Sequence, residues 1–223
     1  MNVIAHIRSD FPSKFGIPRQ SGLIKELQAK IIFTKDYRNA DALRGLENFS
    51  HLWLLWYFSE AARADWSPTV RPPRLGGNIR MGVFATRSPY RPNPIGLSAV
   101  KLEHIEISHT DGPLIYVSGA DLMDNTPILD IKPYLPYADA YPQATGGFTD
   151  RVSFTGLKVN LPQALQSKVP PDKLAALTAV LQNDPRPSYQ NDPERVYGFF
   201  FTHLEIKFRV TDSLLTVLSI EKA

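Results

Sequence analysis

The chain contains no cysteine in 223 residues. Disulfide scaffolds, thiol nucleophiles, iron–sulfur clusters and cysteine zinc sites are thereby excluded, and a cytoplasmic location is the default expectation. No stretch approaches the ~20 consecutive apolar residues of a membrane helix; the aromatic and aliphatic run from Leu52 to Phe58 is strand-sized, so no bilayer span is expected. The opening residues, Met1 to His6, lack the basic start and apolar block of a secretory leader. Histidine is scarce: His6, His51, His104, His109 and His203 show no paired ligand spacing, so no metal is expected. Both common nucleotide loops, G-x-x-x-x-G-K-[ST] and G-x-G-x-x-G, are missing, which argues against a Rossmann cofactor domain. Ser98, in Gly96-Leu97-Ser98-Ala99-Val100, lacks the second glycine of a nucleophile elbow.

What remains is a composition near the globular average, 43% hydrophobic and 21% charged, on a chain long enough for one or two cores. The net charge is only +3, but it is unevenly placed. From Trp66 to Val100 there is no Asp, Glu or Lys, while Arg71, Arg74, Arg80, Arg87 and Arg91 all fall inside that window. From Asp121 to Asp139 the balance reverses, with Asp121, Asp124, Asp130 and Asp139 against a single Lys132. Either a polar site with segregated signs or a solvated surface with chance clustering fits this pattern.

Alternation and apolar runs predict strands at Val3–Arg8, Lys30–Thr34, His51–Phe58, Met81–Thr86, Ile95–Ile107, Leu114–Gly119 and Pro127–Ile131, with one short helix over Tyr37–Leu46. His51–Phe58 is apolar on both parities and reads as a central strand covered on both sides. Strands that follow one another without amphipathic helices argue for an antiparallel sheet or barrel. After a linker-like stretch at Tyr141–Gly147, a strand at Val152–Thr155, helices at Pro162–Gln166 and Asp172–Gln182, and a hairpin-like pair at Tyr197–Val210 and Leu214–Ile220 are expected. The predicted fold class is mainly β: an antiparallel β-barrel domain over residues 1–146, then a small α+β domain over 147–223.

Two loops carry the chemistry. Residues 71–98 are dense in proline and glycine; proline fixes φ and glycine admits close backbone approach, so the loop is stiff and shaped. Its arginines present planar donors suited to carboxylates, phosphates or stacked bases. A purely structural reading pairs Arg87 and Arg91 with Asp124 and Asp130. Residues 121–137 alternate carboxylates, Lys132, Tyr134 and Tyr137 with prolines, and lack the ligand alternation and closing Glu of a calcium loop. A polar small-molecule pocket fits them better.

These two loops, with Phe15-Gly16-Ile17-Pro18-Arg19-Gln20, Arg44-Gly45-Leu46-Glu47, Phe49-Ser50-His51-Leu52-Trp53 and the run Asp184-Pro185-Arg186-Pro187-Ser188-Tyr189, closely resemble the TsaA-like family over nearly the whole chain. The resemblance implies a homodimeric β-barrel methyltransferase that uses S-adenosylmethionine and acts on N6 of N6-threonylcarbamoyladenosine at position 37, in the anticodon loop of tRNA.

By the same resemblance the cofactor contacts are Pro18, Arg19, Gln20, Ser59, Glu60, Arg87, Leu97, Asp121, Leu122, Met123 and Asp124. Ser59-Glu60 and Met123 sit at places that vary among relatives. A carboxylate could accept the N6 proton, with Asp124 and Asp130 as candidates and the Tyr134 phenol as a weaker one, each of which could instead serve structure alone. RNA contacts are expected from Arg71, Arg74, Arg80, Arg91 and Lys132, and beyond the linker from Lys168, Lys173, Arg186, Arg195, Lys207 and Arg209, with Tyr189 and Tyr197 available for stacking on bases. Two alternatives stay open: a non-catalytic RNA-binding module, and a methyltransferase acting on a small molecule.

Overall fold

The structure, a computed structural model, describes every residue except 62–64, 73–74, 76, 152–155, 187–189 and 191. In the first part of the chain the strands are β1 (Ala5–Arg8), β2 (Gln28–Phe33), β3 (His51–Tyr57), β4 (Thr69–Val70), β5 (Met81–Gly82), β6 (Ile95–Ser108), β7 (Gly112–Ser118) and β8 (Pro127–Pro133), followed by the single-turn α1 (Pro136–Asp139). Six of them close an antiparallel barrel in the order β1-β2-β7-β6-β3-β8. Alternate residues fill it: Leu52, Leu54 and Trp56 from β3 meet Val100, Ile115, Val117, Ile31, Ile7 and Ile128. Closure removes exposed edges, which lets successive short strands bury one face without helical cover. On β3, which lies between β6 and β8, Leu52, Leu54 and Trp56 are buried and the outward Trp53 and Leu55 half-buried, Trp53 against Tyr134.

Beyond the linker come β9 (Lys158–Asn160), α2 (Gln163–Gln166), α3 (Pro171–Gln182), β10 (Tyr197–Phe201), β11 (Leu204–Thr211) and β12 (Leu214–Lys222). These strands form a four-stranded sheet, β10-β11-β12-β9, with β9 parallel to β12. Ala176, Leu177, Val180 and Leu181 of α3 pack on Phe199, Phe201, Ile206, Phe208, Leu215 and Val217. This second core also takes Phe11, Ile24 and Leu27 from the loop between β1 and β2. The long early loop is therefore the floor of the second unit as well as the roof of the barrel. Two polar links reinforce it: the nearly buried Asp10 carboxylate accepts from Lys173 Nζ of α3 at 2.7 Å, and the Asp10 carbonyl accepts the Thr202 N–H.

Several local expectations are corrected. The helix over Tyr37–Leu46 is instead three 3₁₀ turns, Lys35–Tyr37, Ala40–Leu43 and Leu46–Asn48. Asn39 caps the second turn through the Asp41 N–H, and Gly45 at φ 90° breaks continuity before the third. The strand over Met81–Thr86 keeps only Met81–Gly82; Thr86 Oγ1 and N both donate to the Val83 carbonyl and curl the remainder into a 3₁₀ turn. The expected Tyr197–Val210 strand is split by a turn at Thr202, which adopts φ 56° while its N–H is held by Asp10. The strand expected at Val152–Thr155 lies outside the described residues, and Lys158–Asn160 is an edge strand that short length concealed.

Candidate functional site

The loop between β1 and β2 crosses one end of the barrel and is pinned at Gly119, just past β7. Gly22 N–H donates to the Gly119 carbonyl at 2.8 Å, and Gly119 N–H donates to the Leu27 carbonyl at 2.9 Å. Gly119 has φ 76°, and a Cβ there would lie 3.3 Å from the Gly22 backbone. Only glycine permits that approach, which sets Pro18, Arg19 and Gln20 over the barrel mouth.

Beneath them a polar chain runs inward. Arg87 Nη1 donates to Gln20 Oε1. The positive charge of Arg87 also acts on Asp121, whose carboxylate accepts from Ser98 Oγ at 2.5 Å. Ser98 Oγ in turn accepts from the buried Trp56 Nε1 at 3.0 Å. Gly96 leaves room for that indole, since a Cβ there would come within 2.2 Å of the ring. Three segments distant in sequence thus meet in one cluster: Gln20, Arg87 and Asp121, backed by Ser98 and Trp56.

Burial pushes the Asp121 carboxyl above the ordinary carboxylate range; the Ser98 hydroxyl, backbone N–H groups and the Arg87 charge pull it partly back. A raised native pKa means that stability from protonated Asp121 is full below the ordinary carboxyl pKa of about 4 and is lost as pH rises through the native value. Asp121→Asn removes that loss. The melting temperature of the variant minus that of the wild type should therefore grow as pH is raised from about 4 to neutrality; parallel melting curves across this range would disprove the assignment.

Next to the cluster lies a cavity of about 1720 Å³. Its walls come from residues 14–20, from the segment between Asp65 and Tyr90, from residues 146–149 of the linker, and from Val180 and residues 183–186 of the second unit. Arg19, Gln20, Arg71, Arg80, Arg87 and Arg186 line it, with Asp65 and Asp184 the carboxylates among the lining residues. Arg186 donates from Nε and Nη2 to the two carboxylate oxygens of Asp184, each at 2.8 Å, and its side chain is only 10% exposed. Asp184 holds φ 50°. This bidentate pair makes Asp184-Pro185-Arg186 a stiff wall segment; it spends most of the Arg186 donor fork on the protein itself, which the phosphate-contact expectation did not foresee.

The remaining expected site residues divide. Leu122 is buried and Met123 half-buried in the loop that follows Asp121. Asp124 turns away from the arginine loop: it accepts from Arg8 Nη1 at 3.1 Å and from Ser9 N–H at 3.0 Å, tying the 121–126 loop to the end of β1. Asp130 pairs with Lys132 at 3.1 Å on the outer barrel face, while Arg91 donates to the Thr86 carbonyl. The expected pairing of Arg87 and Arg91 with Asp124 and Asp130 is thus replaced by nearer partners. The Tyr134 ring packs tilted against Trp53, and the Tyr134 backbone N–H donates to the His51 carbonyl, at the end of β3 remote from the mouth, about 20 Å along a seven-residue strand. None of Asp124, Asp130 and Tyr134 is among the residues lining the cavity. Ser59 and Glu60 are exposed in a 3₁₀ turn after β3, and Leu97 is 52% exposed on the outer face of β6, opposite Leu55.

Among the expected RNA contacts, Arg71 and Arg80 line the cavity, whereas Arg74 and Tyr189 lie outside the described residues. Lys173 is engaged by Asp10, Lys168 by the Ile220 carbonyl and Lys207 by Glu205. Arg209 stands 4.0 Å from Glu194, and Arg195 lies over the Tyr197 ring. Tyr197 is core, 6% exposed and stacked on Phe208, so it is unavailable to a base. From sequence, Ser98 is weighed only as a nucleophile and Trp56 is given no polar role, although a serine on the inward face of β6 beside Gly96, Val100 and Leu102 is a readable sign of a buried polar partner.

The tRNA-methyltransferase O N-terminal domain family matches residues 6–140, and the TrmO C-terminal domain family matches residues 150–223. The chain is 42% identical over 227 residues to the tRNA (adenine(37)-N6)-methyltransferase of Escherichia coli K12, covering 98% of this chain and 96% of that one. It is 47% identical over 172 residues to the protein of the same name from Eikenella corrodens, covering 76% and 96%. A crystal structure of TrmO from Pseudomonas aeruginosa superposes with a TM-score of 0.78 at 35% identity, over all of this chain and 97% of that one.

Proposed function

The chain belongs to the tRNA-methyltransferase O family, and from that premise we propose that it is an S-adenosylmethionine-dependent enzyme that methylates N6 of adenosine 37 in tRNA, with the N6-threonylcarbamoyl form as its substrate. The observation that carries this reading is one cavity walled by both units, with the Gln20–Arg87 pair, Arg71 and Arg80 all in its lining. Its volume of about 1720 Å³ exceeds the roughly 300–1,000 Å³ of pockets for one small ligand, which leaves room for a nucleotide beside a cofactor.

The donor set fits S-adenosylmethionine. Guanidinium and amide groups of Arg87, Arg19 and Gln20 suit its carboxylate and polar edges, and Phe15, Ile17 and Pro18 offer apolar wall to its purine. When bound, this cofactor supplies an electrophilic methyl group on a sulfonium. The chain's own part is to orient. Arg87 holds Gln20 and Ser98 holds Asp121, so donors stand pre-placed; such positioning can carry most of the barrier reduction in a displacement that needs no covalent intermediate with the protein. The Asp184–Arg186 pair stiffens the part of the wall that the second unit contributes, and Arg71 and Arg80 supply positive charge for phosphates.

The reading includes a division of labour, residues 1–146 for the cofactor and 147–223 for tRNA, in a cytoplasmic protein that recognises the anticodon loop. It also includes a homodimer. Support comes from the outer face of β3, β6 and β8, where Leu97 lies exposed opposite Leu55, which also pairs with Asp130. Incubation of the protein with S-adenosylmethionine and tRNA carrying threonylcarbamoyladenosine, followed by nucleoside mass spectrometry, should convert that nucleoside to its N6-methylated form. Methyl transfer confined to RNA-free small molecules, or none, would refute the reading.

A further inference from the structure

The arginine window contains three large aromatic side chains left in water at the cavity wall, Trp66, Phe84 and Tyr90, and the first two stand face to face. Trp66 is 49% and Phe84 71% exposed, and both line the cavity. They are held together by a short ribbon. Thr69 pairs with Gly82 and Val70 with Met81, and the ladder is extended by Val83 N–H donating to the Pro68 carbonyl at 3.0 Å. Val83 points inward, 1% exposed, which turns its neighbour Phe84 outward. The rings of Trp66 and Phe84 then stand 6.0 Å apart between centroids, 28° from parallel. The guanidinium of Arg91 lies over Phe84, 6.0 Å from its centre. Arg71 and Arg80 line the same cavity, with Asp65 the nearby carboxylate in sequence.

Exposed aromatic faces beside cationic groups, on a ribbon anchored at its base, have the make-up of a surface for single-stranded nucleic acid: base faces stack on rings while arginines follow phosphates. We propose that Trp66 and Phe84 form a stacking platform for an unpaired base adjacent in the RNA chain to the target adenosine. The platform sets register by holding a neighbour while the cavity takes the reacting nucleoside. This inference rests on the tRNA-methylation reading above and names how that substrate is gripped. Charge complementarity selects RNA as the occupant, because no Asp, Glu or Lys occurs between Trp66 and Val100 and five arginines do.

The test uses the full chain and an anticodon stem-loop bearing threonylcarbamoyladenosine at position 37. Trp66→Leu should raise the KM for this RNA about tenfold or more, with kcat and cofactor Kd within about twofold of wild type, whereas Trp66→Phe keeps most of the affinity. An abasic site at position 36 or 38 should raise the wild-type KM similarly and leave Trp66→Leu unaffected, because ring and base are lost as a pair. Fluorescence gives an independent readout: Trp66 is the most exposed of the three tryptophans, and its emission should be quenched when RNA binds. A wild-type enzyme that methylates the stem-loop while Trp66→Leu and Phe84→Leu retain its RNA KM overturns the platform alone. A KM loss that neither abasic site abolishes, or one accompanied by a changed oligomeric state, also overturns it, the latter assigning the rings to a second copy. A wild-type protein that fails to methylate the RNA overturns the functional reading together with the platform.

Discussion

Arg87→Ala is expected to weaken S-adenosylmethionine binding ten- to a hundredfold, as measured by calorimetry, while the melting temperature stays within a few degrees of wild type. The magnitude follows from losing hydrogen bonds to a charged group, roughly 1.5–3 kcal/mol. Arg87 lines the cavity, holds Gln20 and supplies the positive charge that keeps the Asp121 carboxyl from rising further. Its removal therefore strips one donor from the wall, releases a second and leaves a carboxyl less compensated. Because Arg87 itself is exposed, little packing is lost. Arg87→Lys should recover only part of the affinity, since an ammonium keeps charge but not the planar fork that can bridge a glutamine and a ligand carboxylate. Unchanged cofactor affinity in Arg87→Ala would remove this cluster from the cofactor site.

The second large effect concerns stability. Gly16→Ala should destabilise the protein by about 3 kcal/mol, lowering the melting temperature by roughly 6–12 °C. Gly16 has φ 85°, and an added Cβ would fall 2.3 Å from the ring of Phe199 in the second core. Phe199 is 3% exposed and has no room to retreat, so the methyl must push the loop off the sheet. Gly22→Ala is the matched control: φ is 77°, but nothing lies within 4 Å of its Cβ, so only the left-handed backbone cost of about 1–2 kcal/mol applies. Equal losses in the two variants would show that the Gly16–Phe199 contact contributes nothing to docking. Gly16 also lines the cavity, so its substitution should lower cofactor affinity as well, which Gly22→Ala should not do.

The barrel was largely legible because its rule is local. Period-two alternation at Val3–Arg8 and Ile95–Ile107, and the apolar run at His51–Phe58, each report a strand without knowledge of its partners. The errors fell where a backbone choice depends on a distant group. Thr202 turns the chain because Asp10 waits for its N–H, and no glycine or proline marks that corner. Of the residues that the resemblance names as cofactor contacts, Gln20 and Arg87 stand together at the cavity wall through their side-chain bond, and the Arg87 charge acts on Asp121. Asp124 and Asp130, read as candidate bases for the N6 proton, pair instead with Arg8 and Lys132.

Composition and pattern alone determined that this is a mainly β chain without thiol chemistry, with an arginine-only stretch followed by an aspartate-rich one. Only the tertiary structure decided the partners. Asp124 took Arg8, 116 positions away, instead of Arg87; Lys173 closed on Asp10; and the early loop became shared ground for two cores. The physical reason is that strand propensity is read from near neighbours, whereas an ion pair forms with whichever opposite charge the closed barrel brings within about 4 Å. Residue order does not record that distance.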